Sequence, residues 1–193
     1  MPRDYAEADT RLLAAPRAAD AALLGALGIG AAVAVALGVY GRLHTPQFFA
    51  VNIAGFSGPG SVKSWLATVA VALAVFQFVS ALVMYRVLPG GRAPAWIGSA
   101  HVWSGRLAVL ASVPVAVHCL YALGFQATDS RVLWHSLFGC LFYGAFVAKM
   151  ILLTRKNLRA WVIPVLGGLV FFTLVNIWLT SALWFFQING LTN

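Results

Sequence analysis

Five apolar runs decide what this chain can fold into: Ala21–Tyr40, Trp65–Tyr85, Ile97–Leu123, Val132–Leu153 and Trp161–Phe186. A helix crosses the hydrocarbon core of a bilayer in about 20 residues, and each run is long enough. Inside that core every backbone N–H and C=O needs an internal partner, so only helices and closed barrels cross it. No run alternates apolar and polar residues as a barrel wall must. The chain therefore reads as all-α, an integral membrane bundle of five transmembrane helices. Residues 1–20 are expected to form a cytoplasmic N-terminal tail and residues 21–193 a single five-helix transmembrane domain.

Composition excludes the other classes. Hydrophobic residues make up 61% of the 193 and charged residues only 9%, against about 25% charged in a soluble domain. A small globule cannot hide that much apolar surface, and a disordered chain needs the opposite balance. The polar breaks between runs are clear. They are Gly41-Arg42, then Gly55, Gly58, Pro59 and Gly60, then Pro89-Gly90-Gly91 with Pro94, then Thr128–Arg131, then Arg155–Arg159. The segment Gly41–Ser64 carries Phe48, Phe49 and Phe56, which predicts that it lies against the membrane surface or the bundle.

The net charge of +8 comes from 13 Lys+Arg against 5 Asp+Glu. With the N-terminus in the cytoplasm, ten basic residues fall on or near the inner side and only Arg42, Lys63 and Arg131 on the outer side. That is the positive-inside pattern of a membrane protein, not a nucleic-acid stripe. The topology reads as N-terminus in, C-terminus out, in the plasma membrane. Asp4, Glu7, Asp9 and Asp20 make the first residues unlike the basic start of a signal peptide.

No Asp or Glu lies within a run, so the histidines carry most of the chemistry. His118 is five residues from the end of the third run and His135 is early in the fourth. Both belong near the outer face at similar depth, and the short connection makes the two helices expected neighbours. Two imidazoles placed so can ligate a haem b. They can also form a structural or proton-handling pair, or hold a non-haem metal. Gly139 lies one turn after His135, Pro114 can kink the third helix, and Arg131 can meet a haem propionate. Close helix packing, with axes about 8–10 Å apart, leaves little room for a haem unless that kink splays the pair. A three-imidazole metal site adding His44 is a weaker reading. His101 precedes His118 by 17 residues, about 100° away around the helix, and reads as interfacial rather than as a ligand.

Cys119 and Cys140 read as buried thiols rather than a disulfide. Thr173, Asn176, Thr180 and Ser181 are expected to bond between helices. No nucleotide loop, Ser-His-Asp set or H-E-x-x-H motif is present. Hydrolysis and phosphoryl transfer therefore have no visible apparatus, and whether the chain is an enzyme stays open.

The stretches His101-Val-Trp-Ser-Gly-Arg-Leu-Ala, Pro114-Val-Ala-Val-His-Cys-Leu, Leu123-Gly-Phe-Gln, Arg131–Lys149 and Trp178–Phe186 resemble an uncharacterised actinobacterial family of five-helix membrane proteins. That resemblance implies a membrane location and no reaction. A looser resemblance, through His-x-x-x-Gly and the late His118, is to transmembrane b-type cytochromes and ferric-reductase-like membrane domains. It implies a haem b subunit that exchanges electrons between quinone or a respiratory complex and an extracytoplasmic redox partner. The alternatives are a cofactor-free accessory subunit of a membrane complex and an outer-facing metal site or transporter.

Overall fold

The computed structural model describes residues 3–88 and 92–191, with side chains from Ala19 onward. The Pro89-Gly90-Gly91 break lies outside the described residues, as do the side chains of Arg3, Arg11 and Arg17. The helices are α1 (Arg3–Leu43), α2 (Pro59–Met84), α3 (Ile97–His118), α4 (Ser130–Leu153), α5 (Val162–Trp178) and the short α6 (Trp184–Asn189). A π-helical turn, Cys119–Leu123, extends α3, and another, Leu179–Leu183, joins α5 to α6. Five continuous helical stretches are long and apolar enough to span a membrane: Ala19–Leu43, Pro59–Met84, Ile97–Leu123, Ser130–Leu153 and Val162–Asn189. No strand occurs among the described residues.

The runs read from the sequence match these spans closely, with one informative difference. The second helix begins at Pro59 rather than Trp65. Gly58, Pro59 and Gly60 read as breakers, yet proline is well suited to the first turn of a helix, where its missing N–H costs nothing. The earlier start brings Lys63 into the helix.

Packing follows a ring in the order α1, α4, α5, α2, α3. α3 and α4 do not pack along one another, contrary to the expectation from their short connection. The reason lies on α1 and α4. Gly30 and Ala34 on α1 face Gly144 and Ala148 on α4, and a Cβ on either glycine would run into the other's carbonyl oxygen. Small residues spaced by four let two membrane helices approach at backbone distance, so α4 seats against α1 instead of α3.

Two apolar clusters stiffen the ring. Ala26, Leu152, Val162 and Leu166 close the end near the α4–α5 connection, called the lower end below. Ala74, Phe142 and Leu174 close the middle. At the opposite, upper end the ring is completed by the π turn after α3, which contacts α1. Phe125 N–H donates to the Gly41 carbonyl at 2.7 Å. Gly124 turns there with φ +74°, and any Cβ would meet the Gly41 oxygen. The extended segment after α1 docks on the same turn. Its Gln47 and Phe48 amides donate to the carbonyls of Tyr121 and Ala122 at 3.3 and 3.1 Å. The aromatic segment thus lies against the bundle.

Candidate functional site

Keeping α3 and α4 apart leaves a cavity of about 340 Å³ in the upper half of the ring. All five spans line it. Its walls are mostly apolar, from Leu37, Ala67, Val115, Leu120, Phe142 and Leu174, and its polar groups include Lys63, Ser64, Arg131, His135, Ser136 and Thr180. A hydrogen bond joins the α3 and α4 sides of the lining, between Ser112 Oγ and Tyr143 Oη at 3.1 Å.

His135 sits on the α4 wall of this cavity. Its Nδ1 lies 3.2 Å from Thr180 Oγ1. The Thr180 hydroxyl donates its one hydrogen to the Asn176 and Ile177 carbonyls, at 2.7 and 3.1 Å. The His135 ring also hydrogen-bonds the Ile177 carbonyl, which can only accept, so one ring nitrogen donates. In the neutral ring the other nitrogen then keeps its lone pair. Fixing one ring nitrogen so that the other is free to bind is the usual arrangement around a ligating histidine.

His118 is arranged the other way. Lys63 Nζ lies 3.4 Å from His118 Nδ1, and an ammonium can only donate, so Nδ1 accepts. His118 Nε2 lies 3.0 Å from the Phe49 carbonyl oxygen, which can only accept, so Nε2 is protonated. Both nitrogens are engaged. His118 is buried, packs edge-on against Phe49, and is not part of the cavity lining. His118 and His135 share the upper half of the bundle but do not face each other across the cavity with free lone pairs.

His44 is separate from both. Its ring is stacked between Tyr40 and Tyr121, with centroids 5.0 and 4.8 Å away, and Nε2 donates to the Tyr121 carbonyl at 3.1 Å. Among the described residues no three His, Cys, Asp or Glu side chains come together as a metal-holding group. The trio His44, His118 and His135 is thus not gathered.

His101 lies in the lower half. Ser80 donates to the Gln77 carbonyl and lies 2.7 Å from His101 Nδ1. The His101 ring also hydrogen-bonds the Gln77 backbone. Gln77 in turn donates to the His101 carbonyl and to Ser104. This is the interhelical role expected for His101, joining α2 to α3.

Arg131 is already committed. It donates to the Thr180 carbonyl at 2.8 Å, lies 3.9 Å over the Trp184 ring and pairs loosely with Asp129 at 4.0 Å. It ties the start of α4 to the π segment rather than standing free at the cavity mouth. Gly139 lies on the cavity wall, and a Cβ there would meet nothing within 4 Å. Cys119, on the turn after α3, and Cys140, on α4, are free thiols that also line the cavity. Of the four polar residues expected to bond between helices, Thr180 does so. Thr173, Asn176 and Ser181 instead donate to carbonyls of their own helix. Trp178, which gave no such signal, donates across to Thr68 on α2 at 2.9 Å.

The residue that sequence reasoning missed is Lys63. It read as an outer-loop charge, whereas it lies in the first turns of α2 and lines the cavity. A proline-started helix would have been the signal.

No match was found among curated proteins or among solved structures. The model of DUF6529, a family of unknown function, matches residues 23–193, and the chain belongs to that family.

Proposed function

We propose that the chain is a redox subunit of the plasma membrane that holds a haem b in the upper cavity, with His135 as an axial ligand. One observation carries the reading: an imidazole on the cavity wall, held by the Thr180 hydroxyl and the Ile177 carbonyl. Imidazole suits haem iron. Gly139, one turn along the same wall, leaves open space beside it, and α3 stands away from α4, which relieves the crowding of plain helix packing.

His118 does not fit as a second ligand while Lys63 and Phe49 hold it, and no second ligand is assigned. The looser resemblance to transmembrane b-type cytochromes points the same way. The basic residues cluster at the lower end, so the positive-inside rule makes the cavity end extracytoplasmic. When bound, haem supplies a one-electron store. The chain's own part is to ligate it through His135, orient the ring through Thr180 and shield it with apolar walls. The partners of this reading are quinone or a larger respiratory complex on one side and an extracytoplasmic redox protein on the other.

The test is a reduced-minus-oxidised spectrum with elemental analysis on one purified sample. A b-type band is expected, lost in His135→Ala and kept in His118→Ala. Absence of both band and iron overturns the reading.

A further inference from the structure

Among the described residues Lys63 has no carboxylate counter-ion. It lies in a membrane-spanning helix, half-buried, on the wall of an apolar cavity. Its polar contact is with neutral His118 Nδ1 at 3.4 Å, which orients the ammonium but brings no negative charge. Among the described residues the ion pairs are Arg131 with Asp129 and Arg159 with Asp20. No described carboxylate serves Lys63. Of the remaining acidic side chains, Asp4, Glu7 and Asp9 belong to the other end of α1, beyond its span.

A charge inside a membrane span is costly, and such groups pair with an opposite charge or mark a ligand path. Arg131, the other Lys or Arg of the lining, donates to the Thr180 carbonyl and already has an acidic partner in Asp129 at 4.0 Å. Lys63 has two ammonium hydrogens beyond the one that His118 takes.

We propose that the cavity ligand carries its own acidic group and that Lys63 is the residue that binds it, which makes the ligand an acidic amphiphile with an apolar body. This rests on the upper cavity being a ligand site, as above, and replaces Arg131 with Lys63 as the anchor for the acid. The shared chemistry is a carboxylate on an apolar frame. A haem with its propionates and a long-chain fatty acid both have it.

The experiment compares acids with their own esters on the purified full-length chain in detergent, by quenching of tryptophan fluorescence. One pair is haem b and its dimethyl ester. The other is oleic acid and methyl oleate. The expected result is that the acid of at least one pair binds about tenfold or more tightly than its ester. That preference should vanish in Lys63→Met and persist in Lys63→Arg. A thermal melt of each variant checks that it is folded. Oleate preference without haem binding supports the acid anchor and removes the haem reading. Equal binding of acid and ester, a preference that survives Lys63→Met, or no binding of any probe overturns the proposal.

Discussion

Lys63 Nζ lies 3.4 Å from His118 Nδ1, and the other nitrogen of the same ring lies 3.0 Å from the Phe49 carbonyl. One imidazole thus joins α2, α3 and the extended segment between α1 and α2. Replacing it by Phe keeps the volume but strands the Phe49 oxygen and the Lys63 ammonium. Leaving such part-buried partners unsatisfied costs less than the ~1–3 kcal/mol of a fully buried group. His118→Phe should lower the melting temperature in detergent and speed hydrogen exchange in residues 45–57, with little change in α4 and α5. Unchanged exchange in that segment would mean the ring does not hold it.

Glycines 139 and 144 give opposite predictions five residues apart on one helix. A side chain at Gly144 collides with the Gly30 backbone, whereas one at Gly139 enters open cavity. Overpacking a tight contact costs about 1–3 kcal/mol or more. Gly144→Leu should therefore fail to fold or melt far lower. Gly139→Leu should stay folded and lose ligand, because it fills the space beside His135. A melt paired with the binding assay separates the two, and comparable stability of both variants would contradict the close α1–α4 seam.

How much of this was legible follows from those same residues. The spans were readable because burial in lipid demands long apolar helices, and little else in the sequence competes with that signal. The neighbour relation was not. Chain connectivity argued for α3 beside α4, but Gly30, Ala34, Gly144 and Ala148 set the order by steric fit. That G-x-x-x-A pattern stands in both runs and was the available clue. His118 and His135 were found as candidates because histidines in apolar runs are rare. Their roles were not, because a tautomer depends on partners at Thr180, Phe49 and Lys63 that are distant in sequence.

Thr180 tests whether the His135 tautomer matters. Thr180→Val keeps the shape but removes the hydroxyl beside His135 Nδ1, leaving the Ile177 carbonyl as the ring's remaining partner there. Loss of such a supporting bond typically weakens metal affinity about 10–100-fold. Thr180→Val should therefore bind haem more weakly by that order and shift the potential of any that binds. Thr180→Ser, which restores the hydroxyl, should recover both. Equal titration curves for the three proteins would make Thr180 a packing residue only.

The last prediction concerns which way the cavity faces. The chain places Arg42, Lys63 and Arg131 at the upper end, while Arg86, Arg92, Arg155, Lys156 and Arg159 gather at the lower end. Lys and Arg near span ends are retained on the cytoplasmic side, so the upper end should be extracytoplasmic. Ala127 and Asn157 are exposed in connections at the two ends. Both native thiols are replaced by serine, and a single cysteine is placed at one site or the other. A membrane-impermeant maleimide on intact cells should label Ala127→Cys and reach Asn157→Cys only after lysis. The reverse pattern would put His135 and Lys63 on the cytoplasmic side. The cavity chemistry could then stand, but exchange with an extracytoplasmic redox protein could not.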